Sequence, residues 1–141
     1  MSVNQISVFL ENKPGTLNAM TGVLRDGGIN IRAMTVSETK DFGIARIIVN
    51  DTYQATTTLK EAGFVCSLTP VVVCKASDVP GGLNGILKIM SENGINIEYM
   101  YASISAKDVK DACFVFRVTD TKGAVSTLNA SKIHVVMEDE L

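Results

Sequence analysis

Two short loops hold the residues best suited to chemistry: Glu11-Asn12-Lys13-Pro14-Gly15-Thr16-Leu17 and Ser77-Asp78-Val79-Pro80-Gly81-Gly82-Leu83. A helix N-terminus opening at such a loop presents unpaired backbone N–H groups and the positive end of a dipole, both suited to a carboxylate. At the mouth of the first loop, Asn12 can donate to a carboxylate or accept from an ammonium; in the second, Asp78 can only accept from an ammonium. That is the chemistry of binding, not of bond breaking. Both loops also have a plain explanation. Proline presets φ, glycine permits a tight turn, and the leucine enters the core of a strand-to-helix connector.

No catalytic constellation accompanies them. His134 is the one histidine, so neither a Ser-His-Asp nor a Cys-His arrangement has local support, and a metal site lacks ligands. The carboxylates Asp108 and Asp111 fall in a variable loop. There is no Walker loop, and Gly15, Gly22, Gly27 and Gly28 do not form a dinucleotide fingerprint. Neither an enzyme nor a cofactor is expected. Cys66, Cys74 and Cys113 are odd in number, form no CxxC pair and sit in apolar stretches, which implies reduced, structural thiols.

Charge narrows the partners. Thirteen basic and fifteen acidic residues leave a net charge of −2 with no basic stripe, and the few aromatics do not interleave with Arg or Lys. Nucleic acid is not an expected partner. No long apolar run spans a membrane, and the N-terminus lacks the pattern of a secretory signal. A cytoplasmic protein is expected.

The elements that position the loops come from an internal repeat. Pro14-Gly15 and Pro80-Gly81 stand 66 residues apart, and Gly28-Ile29-Asn30-Ile31 recurs as Gly94-Ile95-Asn96-Ile97 at the same offset. Asp51-Thr52 matches Asp120-Thr121 at 69, which places three extra residues in the polar hairpin loop Ser105–Lys110. In each half an alternating strand (Ile6, Val8, Leu10; Val71–Cys74) leads through Pro-Gly into a helix. Leu17, Met20 and Leu24 mark the first helix; Leu83, Ile86, Leu87 and Met90 mark its counterpart. Each helix closes on glycine, Gly27-Gly28 or Gly94.

Extended stretches over 29–37 and 95–104 follow, then strands over Gly43–Val49 and Ala112–Val118. Asp51 with Gln54 predicts a capping box for a helix carrying Ala55, Leu59 and Ala62; Gly123 weakens the second copy's version. Final strands are expected near Phe64–Leu68 and Ile133–Met137. The order is β-α-β-β-α-β twice, so the fold class is α+β. Two ferredoxin-like units stand in tandem, residues 1–68 and 69–141, each an antiparallel sheet with helices on one face.

The pattern strand–[ND]-x-P-G-x-L–helix–G-[IV]-N-I–strand resembles the ACT domain, a small regulatory module of amino-acid metabolism. The first copy is particularly similar to the ACT domain of the acetohydroxyacid synthase regulatory subunit and to the module ending phosphoglycerate dehydrogenase. The tandem layout resembles free-standing ACT proteins without a catalytic domain. The resemblance implies that a free amino acid binds where ACT units meet, held by the Pro-Gly loop and the start of the second strand. Its matching positions are Asn12, Gly15, Thr16, Leu17, Asn30 and Ile31, and in the second copy Asp78, Gly81, Gly82, Leu83, Asn96 and Ile97. The serine-binding members carry a histidine where this chain has Leu10, so serine specificity is not implied.

Asn30 and Asn96 have a simpler role open to them, satisfying backbone groups after a helix-closing glycine. Tyr99 and Tyr101 alternate onto one face, either to line a ligand pocket or as half-buried sheet residues. A metabolic enzyme is a possible protein partner. Units of this size bury too little surface to be comfortable alone, and helix-free faces or edges remain for a second chain. A homodimer is therefore expected; light scattering at micromolar concentration checks it, and a monomer would refute it.

Overall fold

Alternation of Ile6, Val8 and Leu10 on one side of a strand is what orders the first unit. The computed structural model describes residues 2–103 and 111–140, so the expected loop Ser105–Lys110 lies outside the described residues. The chain separates into two compact units, one over Asn4–Thr69 and the other from Pro70 onward together with the residues before Asn4. Its elements are β1 (Val3–Glu11), α1 (Thr16–Asp26), β2 (Ile31–Glu38), β3 (Phe42–Val49), α2 (Thr52–Glu61) and β4 (Val65–Ser77). Then come α3 (Gly82–Glu92), β5 (Ile97–Ala102), β6 (Asp111–Val118), α4 (Thr121–Ala130) and a 3₁₀ turn at Glu138–Glu140.

In the first unit the strand order is β2-β3-β1-β4, and β3 pairs antiparallel with both β1 and β2. Ile6, Val8 and Leu10 of β1 and Ala45, Ile47 and Val49 of β3 meet Met20 and Leu24 of α1 and Ala55 and Leu59 of α2. Both helices thus cover one sheet face, as the repeat predicts. The second unit has the order β4-β6-β5, all antiparallel. Val72, Cys74, Phe116 and Val118 pack there against Ile86, Met90, Ala124 and Leu128.

The four α-helices among the described residues end in the same hydrogen-bonded closure. At α1, Ile29 N–H donates to Leu24 O at 2.9 Å and Gly28 N–H to Arg25 O at 3.0 Å. This is a Schellman motif, and its required left-handed residue is Gly28 at φ 68°. Gly63 at φ 91° and Gly94 at φ 69° do the same for α2 and α3. The fourth closure uses Lys132 at φ 59°, with Ile133 N–H donating to Leu128 O at 2.9 Å. A side chain in that conformation costs about 1–2 kcal/mol relative to glycine.

The N-terminal caps depart in detail from expectation. Asp51 accepts from Gln54 N–H at 3.0 Å, but the Gln54 side chain donates to Gly27 O at 3.1 Å instead of reaching back to complete the box. Gln54 thereby ties α2 to the end of α1. Asp120 caps α4 through Gly123 N–H at 3.0 Å. A Cβ on Gly123 would stand 2.2 Å from Asp120 Oδ2, so this glycine makes room for the cap that fixes its helix.

Three other expectations need correction. The strands expected at Phe64–Leu68 and Val71–Cys74 are one strand, β4, because Thr69-Pro70 carries no turn-forming glycine or asparagine to break it. Ile133–Met137 forms only an isolated bridge, Cys74 to Val135. Val135 and Val136 are both buried, which breaks the alternation a strand requires. Leu17, placed in the helical stripe, is 40% exposed, since the buried face of α1 begins at Met20.

Leu24 and Leu128 are fully buried, and truncating either to alanine is expected to cost about 2–5 kcal/mol in urea unfolding. Burial pushes the Cys74 thiol up from an ordinary 9.0 to about 12. The unfolded thiol ionises first, so this contribution to stability is complete below about pH 9 and is lost as pH rises toward 12. Denaturant melts across that window should show Cys74→Ala losing less stability with pH than the parent.

Candidate functional site

Each Pro-Gly loop is shaped by one left-handed glycine. Gly15 has φ 89° and Gly81 φ 85°, and each stands at the N-terminus of its helix with no side-chain cap. Carbonyls close both turns: Lys13 N–H donates to Glu11 O at 3.0 Å, and Val79 N–H to Ser77 O at 2.9 Å. Ala19 and Gly85 N–H bond back to Gly15 and Gly81. Lys13 lies 2.7 Å from Glu11, and its hydrogen bond and charge hold the Glu11 carboxyl below the usual range.

The loops then diverge. Asn12 is tied to the β2–β3 hairpin: its N–H donates to Asp41 O at 2.9 Å, and its Nδ2 donates to Thr39 O at 2.9 Å and Lys40 O at 3.4 Å. The hairpin that would face Asp78 lies outside the described residues. Thr16 Oγ1 is buried with no hydrogen-bond partner among the described residues. At the matching position a Cβ on Gly82 would meet Ser77 O at 2.2 Å, so the second loop has no room for such a side chain.

The Ile-Asn-Ile joints are held by the residue that follows β3 or β6. Asn30 N–H donates to Asn50 Oδ1 at 3.0 Å, and Asn50 N–H returns a bond to Asn30 O at 3.2 Å. In the second unit Thr119 N–H donates to Asn96 O at 3.2 Å, and Asn96 Nδ2 donates to Thr119 Oγ1 at 3.2 Å. Both asparagines are exposed, while Ile31 and Ile97 pack partly buried against the cores.

Within one unit these parts do not meet. Glu11 pairs with Phe42 at one end of β3, whereas Ile31 pairs with Val49 at the other. At about 3.3 Å per residue, the seven steps of β3 separate Asn12 from Asn30 by roughly 23 Å. Asp78 and Asn96 are likewise set apart, since Ser77 pairs with Asp111 and Ile97 with Val118.

What each loop does border is a cleft between the end of the leading strand, the first helical turn and the chain leaving the second helix. In the first unit it measures about 560 Å³ and is walled by Phe9, Pro14, Thr16, Gly63, Phe64 and Val65. Its counterpart, about 490 Å³, is walled by Lys75, Pro80, Gly82, Lys132, Ile133 and His134. The segments after α2 and α4 were not singled out in the sequence, although the 69-residue offset already aligns Gly63 with Lys132 and Val65 with His134. Tyr99 and Tyr101 share a face but line neither cleft; their partners Arg117 and Val115 place them on the face away from the helices.

The glycines give a direct test. Gly15→Ala meets no atom within 4 Å and should cost only the left-handed strain, about 1–2 kcal/mol. Gly82→Ala should cost more despite its ordinary φ, because the backbone of Ser77 must move. Parallel denaturant melts of the two variants measure the difference.

Comparison with known proteins fits this geometry. A crystal structure of a Bacteroides thetaiotaomicron protein is 35% identical, with 99% of this chain and 95% of that chain covered at a TM-score of 0.93. The regulatory subunits of aspartate kinase from Thermus thermophilus (16% identical, 91% of each chain, TM-score 0.66) and Thermus flavus (15%, 92% of each, 0.61) share the fold. No curated protein matches. The family model described as an ACT domain pair matches residues 1–141. With the doubled β-α-β-β-α order and its two glycine-closed joints, the chain belongs to the ACT domain pair family.

Proposed function

We propose that this chain is a non-catalytic regulatory protein that binds a free amino acid where two ACT units meet. Its modules are residues 1–68 and 69–141, and it acts as a homodimer in the cytoplasm. The observation that carries the reading is the buried Thr16 hydroxyl at the first Pro-Gly loop, which has no partner among the described residues, since such atoms are otherwise satisfied by one. Asn12, Gly15, Thr16 and Leu17 would supply one half of a site, and Asn30 and Ile31 of a facing unit the other. Asp78, Gly81, Gly82 and Leu83 with Asn96 and Ile97 would form the second kind. The separation of the two halves within each unit supports a site that only two units can complete. A ligand held this way links binding to assembly.

A second reading is a regulatory subunit that works mainly by contact with an enzyme of amino-acid biosynthesis. It is favoured by Phe9 at 49% and Phe42 at 64% exposed beside a small apolar hollow, and by the hold of Thr39 and Lys40 on the Asn12 amide. The fold shared with aspartate kinase regulatory subunits is compatible with it.

A thermal-shift screen of the twenty amino acids decides between them. One amino acid at a hundred times its Kd should stabilise the protein by about 2.7 kcal/mol. Asn30→Ala and Asn96→Ala combined should abolish the shift, and each alone should reduce it, without lowering the unliganded Tm by more than a few degrees. No response to any amino acid, with a stoichiometric enzyme recovered from native lysate, favours the second reading.

A further inference from the structure

Three consecutive carbonyls in the turn between β2 and β3 accept hydrogen bonds from a single residue. Asn12 Nδ2 donates to Thr39 O at 2.9 Å and to Lys40 O at 3.4 Å, and Asn12 N–H donates to Asp41 O at 2.9 Å. Ladder pairing between the two strands ends at Glu38 and Gly43. Beyond it Thr39 N–H donates to Phe42 O at 2.7 Å, and Phe42 N–H to Thr39 Oγ1 at 3.3 Å. Asn12 thus fastens this turn to the Pro-Gly loop. Its side chain is exposed, so the clamp stands where a solute reaches it.

The clamped turn is also a wall of the apolar hollow, about 360 Å³, bordered by Phe9, Ser37, Thr39, Phe42 and Ile44. Phe9 and Ile44 are cross-strand partners, and alternation puts both, with Phe42, on the sheet face away from the helices. Movement of Thr39 and Phe42 therefore reshapes the hollow. The second unit has no such side-chain clamp to offer. Asp78 stands where Asn12 does, and an ionised carboxylate has no hydrogen to give a carbonyl.

We infer that Asn12 is a switch: its amide clamps the β2–β3 turn in the unliganded chain, and an amino acid whose carboxylate takes that amide releases the turn and reshapes the hollow. This rests on the amino-acid reading above and adds what the ligand changes. Asn12 Nδ2 has two hydrogens, and two carbonyls already accept from it, so a carboxylate enters by displacing one of them. The exchange favours the ligand, because a hydrogen bond to an ionised acceptor is roughly twice as strong as one to a neutral carbonyl. Binding and release of the turn are then linked: whatever loosens the turn makes the amide easier to recruit.

The test is amide hydrogen exchange of the whole chain by NMR, with Tm measured alongside. Without ligand, Asn12→Ala and Asn12→Asp should exchange about fivefold faster at Thr39 and Phe42, with the buried Ile47 of β3 unchanged. Each of the twenty amino acids is then added in turn. The one that raises Tm should speed exchange at Thr39 and Phe42 while slowing it at Ile47, opposite effects that uniform stabilisation does not give. Thr39→Val removes the Oγ1 bond within the turn and spares Asn12, so it should bind that amino acid about threefold more tightly. A turn that served only the fold would leave affinity equal or lower. Unchanged exchange at the turn in both Asn12 variants, slower exchange there on binding, or affinity not raised in Thr39→Val would overturn the inference and leave the amino-acid reading standing. No rise in Tm with any amino acid would instead remove that reading, and this inference with it.

Discussion

The left-handed residue that closes each helix is the constraint on which the rest of this structure depends. With Gly28 or Gly94 at positive φ, the next N–H folds back onto the final helical turn, and the chain leaves in one direction only. That direction buries Ile29 in the first core and Ile95 partly in the second, and it delivers Asn30 and Asn96 to the exposed start of β2 and β5. The asparagine between two isoleucines is consequently exposed because its neighbours are not. Asn50 and Thr119 then lock the joint from the far end of β3 and β6.

Duplication preserved this frame and relaxed what surrounds it. Both units keep the helix closures, the acidic caps Asp51 and Asp120, and the glycine at the head of the Pro-Gly loop. The walls at Phe9, Gly63 and Val65 did not have to match, since these three are exposed and lie outside the core. Thr16 became Gly82 at a point where the backbone of Ser77 closes in, and apolar walls became basic ones. Two modules of one architecture have come to offer different surfaces.

Much of this was legible before any coordinates. The alternation of Ile6, Val8 and Leu10 and the spacing of Met20 and Leu24 report burial directly, because the periods of strand and helix decide which side chains share a face. Asp51 announced its cap correctly, but the destination of the Gln54 side chain depended on Gly27 being near in space. Leu17 shows the limit of periodicity: helical spacing names a stripe and does not say where along the helix the core begins. The break expected after Leu68 rested on the repeat boundary; the backbone, lacking a turn signal at Thr69-Pro70, stayed extended.

By itself the sequence determined the doubled α+β plan, the places where helices start and stop, and the two loops most suited to a ligand. These are local matters, settled by residue type and spacing within a few positions. Only the tertiary structure decided that Asn12 and Asn30 stand at opposite ends of one sheet, because strand register, not sequence distance, sets that separation. It also decided that Lys75 and His134, 59 residues apart, border one cleft. Such proximity follows from the pairing of β4 with the chain leaving α4, which no local pattern encodes.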